Sequence, residues 1–203
     1  MSDHYYTENP QSPSAKTRWT TRIKDVPITF QTDHGVFSRE RVDEGTRLLI
    51  ESAQILPHAN VLDLGCGYGA VGVSVLTLVK TATVTMVDVN ARAVALAKQN
   101  AQINHVDERA RTLCGDAVGL LMTDAQCYDV IMLNPPIRAG KDVVFSLYEV
   151  ARMKLNQQGV LYVVIQKKQG APSTEDKLLT LFRQVERVAR HRGYVVFCAR
   201  NPR

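Results

Sequence analysis

The run Val61-Leu62-Asp63-Leu64-Gly65-Cys66-Gly67-Tyr68-Gly69-Ala70-Val71-Gly72 constrains this chain more than any other stretch. An apolar segment that ends in a glycine cluster and reopens as an apolar-periodic segment specifies a buried parallel strand, a tight turn and a helix N-terminus. Glycine tolerates the positive φ angles of such a turn and lets backbone N–H groups approach a ligand closely. Gly65, Gly67 and Ala70 fit the G-x-G-x-x-G/A spacing that several nucleotide-like ligands share, so the glycines alone leave the ligand open. Asp63 narrows the choice, because a carboxylate beside the turn suits a cationic amine and repels a pyrophosphate.

From residue 60 onward strands and helices alternate, the pattern of βαβ units. Strands are expected at 61–64, 83–87, a short stretch reaching Cys114, 128–133 and 160–165. Helices are expected through 71–79, over 91–103 behind an Asn90 cap, over 142–155, and from a Ser173 cap through Val185. Two closing strands near 186–189 and 194–199 are joined by a link too short for a crossover, so the last should run antiparallel. The fold class is thus α/β, a doubly wound, mainly parallel seven-stranded sheet with helices on both faces. Ahead of it, a polar arm with Pro10 and Pro13 leads into short strands at 19–23 and 27–32 about a Lys24-Asp25 turn. A helix capped by Asp43 and stopped by Pro57 follows. The expected division is a 1–40 arm with a small β appendage and a 41–203 main domain.

Size and composition fit that picture. At 203 residues, 45% hydrophobic and 22% charged, the chain suits one ordinary globular domain and excludes global disorder. No apolar run approaches the ~18 residues of a membrane span, and the first residues carry neither a basic start nor an apolar core, so a cytoplasmic location is expected. Cys66, Cys114, Cys127 and Cys198 form no C-x-x-C pair and the five histidines show no ligand spacing, so no metal site is expected. A net charge of +5 and a pI near 9.1 are compatible with a polyanionic partner. The segment from Arg183 to Arg203 holds six arginines against one acid, Glu186, which reads equally as a solvated basic face.

In open α/β sheets ligands bind beyond the carboxyl ends of the strands, and here four successive strands each end in a polar residue: Asp63, Asp88, Asp116 and Asn134. Asp88, about 25 residues after Asp63, is placed to accept hydrogen bonds from ribose hydroxyls. The form Asp63-x-Gly65-x-Gly67 resembles the first motif of the class I S-adenosylmethionine-dependent methyltransferases, and that resemblance implies an S-adenosyl-L-methionine cofactor and a contact from Asp116 to the adenine amine. A nicotinamide oxidoreductase fits the glycines but leaves Asp63 and Asn134 without roles.

Asn134-Pro135-Pro136 is the most specific signal. Two prolines after a buried strand force an extended backbone and leave carbonyls without N–H neighbours. The Asn134 carboxamide oxygen and the Pro135 carbonyl can then both accept from one planar NH₂ group, orienting its lone pair and stabilising positive charge as it forms. With Gly35-Val36-Phe37-Ser38, Gln166-Lys167-Lys168-Gln169-Gly170 and His4-Tyr5-Tyr6, this motif resembles the 16S ribosomal RNA guanine-N2 methyltransferase-like family in a short single-domain form. The resemblance implies methylation of an exocyclic amine, guanine N2 of ribosomal RNA first, with a ribosomal RNA or ribosomal subunit as partner. A protein glutamine N5-methyltransferase shares the Asn-Pro-Pro motif and is the alternative. Ile137 departs from the family's aromatic, so either Phe37 supplies the ring that stacks on the target base or the substrate differs. The same departure keeps a third reading, a catalytically inactive RNA-binding module. Arg138, Lys141, Lys167 and Lys168 flank the expected pocket and are candidates for RNA phosphates.

Overall fold

The computed structural model describes residues 15–33 and 41–202. The N-terminal arm and the segment holding Phe37 lie outside these described residues. β1 (Thr17–Ile23) and β2 (Val26–Thr32) form a hairpin whose turn residues Lys24 and Asp25 have φ of 46° and 63°, the left-handed pair that matches the twist of two-residue hairpins. The other strands are β3 (Asn60–Leu64), β4 (Thr83–Asp88), β5 (Ala110–Cys114), β6 (Tyr128–Leu133), β7 (Leu155–Gln166), β8 (Phe182–His191) and β9 (Tyr194–Pro202). They form one seven-stranded sheet in the order β5-β4-β3-β6-β7-β9-β8. β5 to β7 pair in parallel through β3, and β9 runs antiparallel between β7 and β8, as the short link requires.

Strand alternation sorts the core into two layers. Val61, Met86, Val130, Met132, Tyr162 and Val196 face α1 (Glu44–Ser52), α2 (Ala70–Leu78), α3 (Ala91–Ile103) and the hairpin. Their neighbours Leu62, Val87, Ile131, Leu133, Val163 and Phe197 face α4 (Ala117–Thr123), α5 (Lys141–Lys154) and α6 (Ala171–Leu181). The chain leaves β3 toward β4 and β5, then returns to the other side of β3 as β6. That reversal opens a crevice between the carboxyl ends of β3 and β6, where open α/β sheets bind ligands.

Four local expectations are corrected. α1 ends at Ser52, well before Pro57; Ser52 turns its hydroxyl back onto Leu48 and the Tyr162 hydroxyl takes the next free N–H, at Gln54. α6 is capped by Gly170 in the left-handed conformation, and Ser173 sits in the first turn with its hydroxyl donating to the Gly170 carbonyl. That helix stops at Leu181 because Phe182, fully buried, begins β8. Finally, the sequence reading lacks α4, a helix of only seven residues whose N-cap is Asp116.

Side-chain amides fix the hairpin to the sheet layer. Asn100 on α3, fully buried, accepts from the Gln31 N–H at 2.7 Å and donates to the Gln31 carbonyl at 2.9 Å. It also donates to the Tyr68 carbonyl in the glycine turn, at 2.8 Å. One turn later Asn104 brackets Thr29 in the same way. Trp19, Phe30 and Tyr68 close the junction with ring centroids 5.3 to 6.3 Å apart. Replacing Asn100 by alanine leaves one buried and two half-buried backbone groups without their partner, so we expect a loss of about 2–4 kcal/mol. For a domain of this size that corresponds to a melting point lower by roughly 5–15 °C in a thermal unfolding scan; an unchanged melting point refutes the clamp.

Candidate active site

The glycine turn is built on a buried acid. Asp63, the fourth residue of β3, is 2% exposed and accepts the Gly72 N–H of α2 at 2.8 Å. Burial, and secondarily the nearby Asp88 charge, push its carboxyl up to about 7 against the lowering effect of that N–H. Gly72 itself has no room for a side chain, since a Cβ there would lie 2.6 Å from Met86 and 3.2 Å from Asp63. Above the acid, the Gly65 and Cys66 N–H groups donate to the Val87 carbonyl and stitch the turn to β4. Gly65 and Gly67 have φ of 75° and 55°, and a Cβ on either would meet nothing within 4 Å. Their bare backbone therefore faces open space.

Asp88, at the end of β4, accepts from the Gly67 N–H at 2.8 Å with one oxygen and from the Asn90 N–H at 2.9 Å with the other. Burial still raises its carboxyl above the usual range. Asp116 uses one oxygen to cap α4 through the Gly119 N–H at 2.8 Å. At the end of β6 the Asn134 amide nitrogen donates to the Thr46 hydroxyl of α1 at 2.9 Å, and among the described residues nothing donates to its oxygen. The Pro135 carbonyl differs from expectation: it accepts the Ile137 N–H at 2.9 Å across an inverse γ-turn at Pro136, φ −75° and ψ 78°. A carbonyl has two lone pairs, so one remains for a ligand.

A cavity of about 430 Å³ joins these groups at the switch point. Asp63, Gly65, Gly67, Asp88, Asp116, Asn134, Pro135 and Pro136 all line it. The size is that of a small-molecule site, and the open backbone at Gly65 and Gly67 beside three carboxylates fits a nucleoside bearing a cationic chain. Residues 27–198 match the model of the methyltransferase small domain. The chain belongs to that family of S-adenosylmethionine-dependent methyltransferases.

The methyltransferase is 42% identical to the uncharacterized protein YbxB of Bacillus subtilis (strain 168) over 98% of this chain and 99% of that one. It is 34% identical to the ribosomal RNA large subunit methyltransferase G of Pseudomonas putida (strain W619), over 94% of this chain and 51% of that protein. The structure of T. thermophilus 16S rRNA N2 G1207 methyltransferase (RsmC), in complex with AdoMet and guanosine, superposes with a TM-score of 0.82 at 27% identity, covering 95% of this chain and 52% of that one. The chain thus spans about half the length of the ribosomal RNA methyltransferases it matches.

The other expected site residues among the described ones lie outside the cavity lining. Ile137 is half-buried and packs against the core layer of α5. Arg138 and Lys141 are exposed, Lys141 with its ammonium 5.0 Å from the Phe145 ring centroid. Lys167 and Lys168 occupy the turn after β7, outside the cavity lining, and Phe37 lies outside the described residues. Asp43, expected only as a helix cap, also lines the cavity, as do Thr46 and Tyr68 and, on its other wall, the apolar Ala139, Val143 and Leu147, none of which the sequence marks as site residues. Asp43 caps α1 through the Gly45 and Thr46 N–H groups. Burial, with Asp43 adding, raises the Tyr68 phenol, which stays neutral. No pattern within the sequence ties residue 46 to residue 134. Among the described residues no cluster of three or more metal-ligating side chains occurs, and no helix is long and apolar enough to cross a membrane.

A carboxyl raised from 3.8 to about 7 stabilises the fold fully below its unfolded value, and that contribution is lost as pH rises through 7. Asp63→Asn keeps the acceptor for Gly72 and removes the titration. In the unliganded protein we expect the variant to melt roughly 5 °C above the parent at pH ~8, the difference shrinking toward zero near pH ~4. A difference independent of pH excludes a raised Asp63.

Proposed function

We propose that the cavity holds S-adenosylmethionine and that the protein transfers its methyl group to an exocyclic amine, guanine N2 of ribosomal RNA. The observation that carries this reading is the Asn134 side chain, turned by the Thr46 hydroxyl so that its oxygen is the free acceptor beside the Pro135 carbonyl. Two acceptors side by side suit a group with two N–H donors, and both lie in the same cavity as the glycine turn. The solved relative bound to AdoMet and guanosine supports the same pairing of ligands.

When bound, the cofactor supplies an electrophilic sulfonium methyl. The protein's share is placement. Gly65 and Gly67 admit the nucleoside against backbone, and Asp63 and Asp88 give a negative field for its cationic chain. Asp88, already held by the Gly67, Asn90 and Val89 N–H groups, keeps acceptor capacity for a ribose hydroxyl. The second oxygen of Asp116 is the acceptor for the adenine amine. Opposite, Asn134 and Pro135 hold the two amine hydrogens, so the nitrogen lone pair points along the line of attack. Charge building on nitrogen is met by two fixed dipoles, and the departing proton passes to solvent. Pro136, Ala139 and Val143 offer an apolar wall for the target ring. Arg138, Lys141, Lys167 and Lys168 serve RNA phosphates outside the cavity, which goes with a cytoplasmic location.

Methyl transfer to purified ribosomal subunits, followed by nucleoside mass analysis, should yield N2-methylguanosine; label in protein glutamine instead favours the alternative reading, and label in neither refutes both. Asn134→Ala should lose on the order of 10²–10³ in turnover while cofactor affinity by calorimetry stays within about three-fold. Thr46→Val frees the amide to rotate and should cost about ten-fold in turnover. Equal loss of turnover and cofactor binding in Asn134→Ala assigns that side chain to the fold alone.

A further inference from the structure

A second hollow, of about 350 Å³, lies between the turn after β7, the start of α6 and the β8–β9 hairpin. Its lining includes Lys167, Arg187, Arg190, His191, Arg192 and Tyr194. Two acids neutralise part of this charge: Glu175 forks onto Arg187, and Glu44 meets Arg192 at 2.9 Å and His191 at 3.7 Å. Lys167 and Arg190 have no acidic partner among the described residues. They reach the hollow from different elements, Lys167 from the end of β7 and Arg190 from β8. Charges spread along an exposed strand for solubility alone have no reason to converge on a concavity.

The location is as informative as the charge. Lys167 follows the carboxyl end of β7, the strand paired with β6, so the hollow opens on the sheet edge that carries Asn134. Tyr194 forms the partition: its ring would lie 2.7 Å from a Cβ on Gly45, which sits between the cavity-lining Asp43 and Thr46. A strand of nucleic acid whose base enters the first cavity must continue across this edge. Guanidinium groups match phosphate oxygens as a fork, an ammonium meets them as a point charge, and a tyrosine ring offers a face to a neighbouring base or ribose.

We infer that this hollow is a phosphate-binding site for the RNA backbone flanking the methylated nucleotide, with Arg190 and Lys167 as its free cations and Tyr194 as its wall. The inference rests on the RNA reading of the first cavity and extends the binding surface to the β8–β9 hairpin. It places a grip on RNA within the sheet itself.

The test is fluorescence anisotropy of a labelled mixed-sequence RNA hairpin, titrated with protein at several salt concentrations. Arg190→Ala should weaken binding several-fold, and with Lys167→Ala added about ten-fold or more, the slope of log affinity against log salt falling by about 0.7–0.9 per contact removed. Arg183→Ala, an exposed arginine at the far end of the same strand, should change affinity less than two-fold, and S-adenosylmethionine affinity by calorimetry should be unchanged in all three. Equal weakening by Arg183→Ala, an unaltered salt slope, or no RNA binding by the parent overturns the site. If the slopes change as expected but no N2-methylguanosine forms on ribosomal subunits, the phosphate site stands and the reading of the first cavity falls. If N2-methylguanosine forms while the variants bind RNA as the parent does, the reverse holds.

Discussion

The structure turns on a carboxylate held away from water beneath a helix. Asp63 takes the Gly72 N–H at 2.8 Å while Met86 presses on the same spot. That bond sets where α2 begins relative to β3, and so how far the glycine turn stands from β4. The contacts between the turn and β4 go with this distance. The Val87 carbonyl can reach the N–H groups of Gly65 and Cys66, and the Asp88 carboxylate can reach that of Gly67, only because the turn is drawn down onto β4. The cost is a buried acid with a displaced proton affinity, a local conflict of the kind proteins keep at working sites.

Much of this was legible before any coordinates. Continuous apolar runs mark central parallel strands; Gly65, Asp88 and Asn134 close three of them abruptly, whereas β7 begins at Leu155, five residues before the apolar run at 160, through polar residues that carry no such signal. The glycine turn, the Asn90 and Asp43 caps and the antiparallel closing strand follow from local chemistry that few residues can perform. Elements at the periphery were less legible. The seven-residue α4 buries only Leu121 fully, too little apolar periodicity to be heard. Phe182 and Val185 continue the spacing of α6, yet pairing with β9 and burial of Phe182 win over that local rhythm.

Legibility failed in a different way at the acceptor pair. Proline does remove donors, but the Ile137 N–H folds back onto the Pro135 carbonyl, a consequence of the γ-turn angle at Pro136 that composition does not reveal. Ile137, half-buried, also packs against the hydrophobic layer beside α5, a contact that its place in the motif does not reveal. Thr46 was invisible because its importance comes from a contact spanning 88 positions in the chain. The side chain that orients the key amide arrives on a helix that precedes the whole sheet.

β9 is flanked on both sides, which leaves β8 as the outermost strand, with one row of backbone groups unpaired by its neighbour. Such a border invites self-association by strand addition unless it is made inhospitable. Here Arg183 and Arg190 stand along it, both exposed, while Arg187 is held by Glu175. Mutual repulsion between two copies at that border should favour the monomer in dilute salt, and concentrated salt should relax the restraint. Colloidal behaviour is thus written into the same strand that closes the fold.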